Sequence, residues 1–275
     1  MSRRHPLVTC MLRAAMKAAR SLLRDFGEVE HLQVSKKGPA DFVSHADRAA
    51  ERILKEELAR ARPHFAFLME EAGEEPPPAG GAPKGRWIVD PLDGTTNFLH
   101  AIPHFAISLA AEEKGRVVAA VVYDPVRDEL FWAQRGGGAF LNDQRLRVSA
   151  RQKLEEALVA TGIPFAGHGE HERFLAELGA IMPRVAGIRR FGSAALDLAY
   201  VAAGRYDAFW EHGLHLWDIA AGALIVQEAG GLVSDHAGLP RALETGEILA
   251  TNGHLHRPML RLLAGVRGAA ARKRA

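Results

Sequence analysis

Cysteine is nearly missing from this chain: one, Cys10, stands among 275 residues. A lone thiol excludes an intramolecular disulfide and any cysteine-built zinc cluster, and it suits a reducing compartment, so a cytoplasmic location is expected. Charge of one sign is lacking too. The net charge is +2, so no global field selects nucleic acid or a membrane surface as partner. Long apolar runs are absent: nothing approaches the ~18 uncharged apolar residues of a membrane span. The first segment is interrupted by Arg13, Lys17, Arg20 and Arg24, which leaves no secretory apolar core. What remains is ordinary globular composition, 48% hydrophobic and 25% charged, with no internal repeat and no long linker.

Hydrophobic periodicity orders the chain. Val8, Leu12, Ala15, Met16, Ala19, Leu23 and Phe26 follow helical spacing, with Gly27 as a stop. The basic residues of that helix lack aromatic partners at an interface, so its polar face is read as solvated and not membrane-bound. Lys36 to Asp41 reads as a loop. Ser44 and Asp47 resemble a capping box ahead of a second helix that ends at Arg62-Pro63, which makes Asp47 structural on its own terms. A short strand is expected over 65–69, with Glu70 and Glu71 at its exit, followed by a flexible Pro/Gly-rich run over 76–85.

Four strand-like runs then follow, over 105–111, 117–123, 129–133 and 139–141. The turn signals Lys114-Gly115, Asp124-Pro125 and Gly136-Gly137-Gly138 separate them, which predicts an antiparallel meander. Beyond 158, helices are expected over 170–181, 193–203, 219–229 and 254–263, with extended segments at 187–190, 206–211, 232–234 and 248–250. The reading is one catalytic unit over 1–265. An N-terminal α+β half to about 145 carries the meander, a C-terminal α/β half covers 146–265, and a basic tail, 266–275, is expected to be disordered.

The stretch that organises this pattern is Trp87-Ile88-Val89-Asp90-Pro91-Leu92-Asp93-Gly94-Thr95-Thr96-Asn97-Phe98. Three apolar residues end a buried strand, Asp90 stands at its exit, and Pro91 keeps the strand from simply continuing. Gly94-Thr95-Thr96 offers consecutive backbone N–H groups, which face an anion if a helix begins there. Carboxylates alone repel a phosphate; carboxylates holding a hard divalent cation attract one. Taken alone, the motif reads equally well as a strand-to-turn junction in which Asp caps a helix. Glu70, Asp90, Asp93 and Asp218 all fall at element boundaries, where open sites gather in α/β layers.

Together these motifs resemble the inositol monophosphatase family. Phe67-Leu68-Met69-Glu70-Glu71, the stretch from Trp87 to Phe98, and Leu216-Trp217-Asp218-Ile219-Ala220-Ala221-Gly222 occur in the family's order and spacing. The meander from Tyr123 to Asn142 and the segment Gly187 to Ala195 fit as well. The resemblance implies an α+β fold, the five-layered α-β-α-β-α sandwich shared with fructose bisphosphatases. It implies a Mg²⁺-dependent, lithium-sensitive phosphomonoesterase that acts on inositol 1-phosphate as a homodimer.

Roles follow from the resemblance. Glu70, Asp90 and the carbonyl of Leu92 would hold a first Mg²⁺, and Asp90, Asp93 and Asp218 a second. A third ion would use Glu70 and water. Thr95 would help activate the attacking water, with Asp47 accepting from its hydroxyl. Gly94 and Thr95 N–H groups would hold phosphate oxygens; Asp93, Glu211 and the N–H of Ala194 would bind inositol hydroxyls. The physical logic agrees: one cation acidifies a water aimed at phosphorus, another neutralises the departing oxygen, and four acids near −4 need such company.

Substrate choice rests on less. Glu211 suits a polyol, because an acid accepts hydroxyl hydrogens. Thr161-Gly162-Ile163-Pro164-Phe165 lies where some members place a substrate-contacting serine, and this chain has Gly162-Ile163 there. The alternatives are a fructose-1,6-bisphosphatase or broad sugar-phosphate phosphatase and, in another class, a binding protein of the transcription machinery that kept the fold. The last would show damaged acidic motifs or a clustered basic face. Here every acidic position is filled, and basic residues are scattered apart from Arg189-Arg190 and the tail. The pairs His100/His104 and His212/His215 suggest zinc by spacing, but Pro103 and Gly213 interrupt the helix that would align them.

Overall fold

Along the central strands of the larger sheet, successive side chains go to different cores, and that alternation builds the layers. The computed structural model describes residues 5–27, 34–36, 42–165, 167 and 169–274. The chain opens with α1 (Pro6–Phe26), the hairpin strands β1 (Val34–Lys36) and β2 (Phe42–Ser44), and α2 (His45–Ala61). Next come β3 (Phe65–Met69), β4 (Gly73–Glu75), β5 (Gly85–Asp93), the short α3 (Thr95–Leu99), β6 (Ala106–Glu113), β7 (Arg116–Asp124), β8 (Glu129–Gln134), β9 (Gly138–Leu141) and β10 (Gln144–Arg145). The remainder is β11 (Leu158–Thr161), α4 (His171–Ile181), β12 (Gly187–Arg189), α5 (Ala194–Ala202), β13 (Ala208–Glu211), α6 (Leu216–Glu228), β14 (Leu232–Ser234), α7 (Ala242–Thr245), β15 (Ile248–Thr251) and α8 (His256–Arg274).

Eight strands form one sheet in the order β10-β9-β8-β7-β6-β5-β3-β4, and five form another in the order β12-β11-β13-β15-β14. Trp87, Val89, Ile107, Leu109 and Val121 point from the larger sheet to α1 and α2. Their neighbours Ile88, Ala106, Ala110, Ala120 and Val122 point the other way, into a core shared with α5, α6 and the inner face of the smaller sheet through Ala160, Phe209 and Ile248. Val159, Trp210 and Leu249 face outward from the smaller sheet to Phe174 of α4 and Met259 of α8. The layers are therefore α1/α2, sheet, α5/α6, sheet, α4/α8, the expected five-layered sandwich. The central helices are apolar all round, and they approach closely: a Cβ on Gly222 of α6 would lie 2.5 Å from Leu198 Cβ of α5.

The meander falls where the turn signals put it, with β6 to β9 paired antiparallel in sequence. Three expectations are corrected. First, the strand does not end at Pro91: β5 continues to Asp93, with a register break between Asp90 and Asp93 that accommodates a residue lacking an N–H. Second, the buried stripe of α1 runs through Val8, Met11, Ala15, Ala18 and Leu22, while Met16 and Leu23 are 51% and 41% exposed. The stripe faces α2 and the larger sheet, the neighbours that cover it. Third, α8 runs on to Arg274, past the end expected near 263, because Ala and Arg are strong helix formers. The Ser44 cap side chain and the loop from 37 to 41 lie outside the described residues.

Candidate active site

The site forms where β3 and β5 end and α6 begins. β3 and β5 are parallel neighbours, with Met69 paired to Val89. The next residues, Glu70 at the exit of β3 and Asp90 within β5, therefore stand beside each other, and the Glu70 N–H donates to Val89 O (3.2 Å). Beyond Asp90 the pairing slips. Asp90 faces Ser108 and Asp93 faces Ala106, so three steps on β5 match two on β6. Residues three apart on a regular strand point to opposite faces; this bulge puts Asp90 and Asp93 on the same one. Leu92 goes to the other, into the core under α1 and α2. The acidic face looks toward α6, whose first turn carries Asp218 and whose Trp217 carbonyl accepts from Ser108 Oγ (3.2 Å).

Each acid is held by its backbone surroundings. Asp90 is buried, and its Oδ1 accepts from the Leu92 N–H (2.9 Å). Asp93 Oδ2 accepts from Ser193 Oγ (2.6 Å) and the Ala195 N–H (2.7 Å), and the Ala194 N–H also faces it. Asp218 Oδ2 accepts from the His215 N–H (2.7 Å). Gly94 caps α3 with a φ of +98°, and a Cβ there would lie 3.0 Å from the His104 carbonyl oxygen, so both backbone and space require glycine. The Thr95 hydroxyl donates to the Leu92 carbonyl oxygen three residues back (2.9 Å), where Asp47 was the expected acceptor.

The electrostatics of the cluster run one way. Burial pushes Asp90 well above the usual carboxylate range, and the charges of Glu70, Asp93, Asp218 and Asp47 push it further. Asp218 is raised by burial and by Asp93, against the pull of the His215 N–H. Burial lifts Asp93 to about 6 even with its three donors. One oxygen each of Asp47, Glu70 and Glu71 lie within 4.8 Å of one another. Crowded, desolvated carboxylates that raise one another's pKa are a donor set suited to a hard cation, and all the donors are oxygen. Glu70, Asp90, Asp93, Asp218 and the Leu92 carbonyl fit that task.

A cavity of about 420 Å³ opens beside these acids. Its lining includes the acids Glu70, Asp218 and Glu211, the apolar side chains of Ile163, Phe165 and Trp217, and Gly162. Glu211 ends β13 and is pushed up to about 8, by burial first and by Asp93 second. Behind the cavity, under α4, lies a second buried ionic group. Glu177 accepts from Arg173 Nε (2.9 Å), stands 3.6 Å from His236 Nδ1 and 3.9 Å from His212 Nε2, and Arg173 Nη2 reaches Glu247 (2.7 Å).

The structure gathers Glu70, Asp90, Asp93, Asp218, Thr95 and Asp47 in one place and puts Glu211 on the adjoining cavity. The Ala194 N–H points at Asp93. Four contributors were missed. Ser193 reads in sequence as a helix cap, which it is (Leu196 N–H to Ser193 Oγ, 3.3 Å), but it also donates to Asp93 across 100 residues. Asn97 Nδ2 donates to the carbonyls of His104 (2.8 Å) and Phe191 (2.7 Å), tying α3 to the start of α5. Glu71 joins the acidic group, and its N–H donates to Glu51 (2.9 Å). The Glu177 group gave no local signal at all.

Comparison with known proteins agrees with the geometry. Residues 4–267 match the model of the inositol monophosphatase family. The inositol-1-monophosphatase of Rhizobium meliloti (strain 1021) is 60% identical over 92% of this chain and 94% of its own. A Pseudomonas aeruginosa relative named Nus factor SuhB is 49% identical over 93% and 94%. The crystal structure of the extragenic suppressor protein SuhB from Bartonella henselae superposes with a TM-score of 0.90 at 56% identity, covering 94% of this chain and 98% of that one. The chain belongs to the inositol monophosphatase family.

Proposed function

We propose that this protein hydrolyses the phosphate monoester of a cyclic polyol, inositol 1-phosphate above others, using Mg²⁺ held by Glu70, Asp90, Asp93, Asp218 and the Leu92 carbonyl. The observation that carries this reading is the convergence of carboxylates from β3, β5 and α6, where burial first and mutual repulsion second raise Asp90 and Asp218. When bound, Mg²⁺ supplies charge neutralisation at the phosphate and a more acidic water. The chain's own groups do the rest. The Gly94 and Thr95 N–H groups receive phosphate oxygens at the start of α3. The Thr95 proton is engaged at Leu92 O, so its oxygen lone pairs are left to accept from a water and aim it at phosphorus. Glu211, in the cavity lining, accepts from a hydroxyl of the alcohol half. Attack is in line, with no covalent enzyme intermediate. The family resemblance adds lithium inhibition and a homodimer, which a lithium titration and sedimentation would check.

The test is phosphate release from inositol 1-phosphate with and without Mg²⁺, beside fructose 1,6-bisphosphate and 3′-phosphoadenosine 5′-phosphate. Mg²⁺-dependent turnover of the inositol ester above the others is the expected result. A preference for another ester would keep the metal chemistry and sink the role given to Glu211. A second reading, that the chain also acts as a Nus factor, rests on the Pseudomonas relative's name. Capture of transcription components by both wild type and Asp90→Asn would support it; no capture by either would end it.

A further inference from the structure

Gly162 is not a glycine for its backbone. Its φ lies outside the left-handed region, so any residue could adopt its conformation. Space is what it gives. β11 and β13 are parallel neighbours with Thr161 paired to Trp210, so the next residues, Gly162 and Glu211, stand side by side at the C-terminal ends of the two strands. Thr161 Oγ1 fixes that register by facing the carbonyl oxygens of both Trp210 (2.8 Å) and Gly162 (3.0 Å). A Cβ built on Gly162 would lie 1.8 Å from Glu211 Oε1, 2.1 Å from Cδ and 2.3 Å from Oε2. The carboxylate of Glu211 sits where the side chain of residue 162 would be, and the Gly162 N–H faces it there.

Both residues line the cavity beside the acids. Any side chain at 162 must drive the Glu211 carboxylate out by more than about 1 Å to reach ordinary contact distance. The acids Asp93 and Asp197 repel it from within the fold, and the open direction is the cavity. We infer that Gly162 is a specificity-determining residue: by ceding its side-chain volume it seats Glu211 against β11 and keeps the cavity open for a bulky alcohol carrying a hydroxyl toward that carboxylate. This rests on the proposed polyol phosphate reading. The clash is with the end of a flexible side chain and not with backbone, so replacing Gly162 should move Glu211 and leave the fold intact.

The experiment compares wild type, Gly162→Ala, Glu211→Ala and the double variant with Mg²⁺ present. In Gly162→Ala, the KM for inositol 1-phosphate should rise by about tenfold or more, with kcat changing much less. Competitive inhibition by inorganic phosphate, which reads only the anion half of the site, should not move. In the Glu211→Ala background, Gly162→Ala should add nothing, because the effect passes through that carboxylate. A crystal structure of Gly162→Ala should show Glu211 turned into the cavity. An unchanged KM, equal losses for inositol ester and phosphate, or a Glu211 still in its seat would overturn the inference and leave the proposed function standing. A wild type that turns over no polyol phosphate would sink the proposed function and this inference with it.

Discussion

Two clusters of buried carboxylates sit on either side of the smaller sheet, and they have been treated oppositely by the fold. Around Asp90 the strongest influences are burial and four other acids, all of which raise its pKa. Around Glu177 burial pulls the same way, yet His236 and Arg173 outweigh it and hold Glu177 below its ordinary value. Both cost desolvation. Glu177 is matched within the fold by Arg173 and works as structure, whereas no protein cation figures among the strongest influences on Asp90. The Asp90 cluster is arranged for charge that comes from outside. A buried acid is thus informative about function only once its partners are known.

The comparison can be broken first at Asp90. Asp90→Asn should cut turnover by about a thousandfold or more, several kcal/mol of barrier. It should leave the melting temperature of the metal-free protein unchanged or higher, because a repelled charge is removed; kinetics and calorimetry on one sample check both halves. Glu177→Ala should do the reverse. It removes one of the carboxylates Arg173 reaches and leaves Glu247 (2.7 Å), and urea denaturation should show a loss of about 2 kcal/mol, less than for a stranded buried charge, because Arg173 also keeps 23% of its side chain exposed.

Mg²⁺ sharpens the contrast. At a hundredfold excess over its Kd it should raise the wild-type melting temperature by about 5 °C, and Asp90→Asn should lose most of that shift. The smallest effect is one of pH. A carboxylate whose folded pKa is depressed stabilises above its unfolded value, about 4.3 for Glu, and that stability is lost as pH falls through the folded pKa. The stability gap between wild type and Glu177→Gln should therefore be full at neutral pH and shrink on acidification below about 4.3, read by denaturation at a series of pH values.

The sequence made some of this legible and not the rest, for physical reasons. Turn chemistry is local, so Lys114-Gly115, Asp124-Pro125 and the Gly136 triplet marked the meander, and Ser193 marked the start of α5. The acids were visible because they stand at element ends. Pro91 misled: its missing N–H argues against a paired strand, but a bulge needs no donor there and β5 runs through it. The Glu177 group joins α4 to His212 after β13, His236 after β14 and Glu247 before β15, and no periodicity links them. The second role of Ser193 and the seat that Gly162 gives Glu211 are contacts between strands and helices distant in sequence; only coordinates reveal that an absent side chain is occupied by someone else's carboxylate.

The extra residue between Asp90 and Asp93 has a consequence for how this chain tolerates length change. On either side of it the strand keeps time in twos, and the bulge is a single skipped beat that β6 absorbs by resuming at Asp93 and Ala106. Deleting Leu92 would restore the beat. Asp90 and Asp93, then two residues apart, would still share a face, but Pro91, with no N–H to give, would fall into the regular ladder, and the site would lose the Leu92 carbonyl that takes the Thr95 hydroxyl and the side chain that anchors this turn under α1 and α2. A deletion of one residue here would spare the facing of the two acids and remove the anchor that holds them.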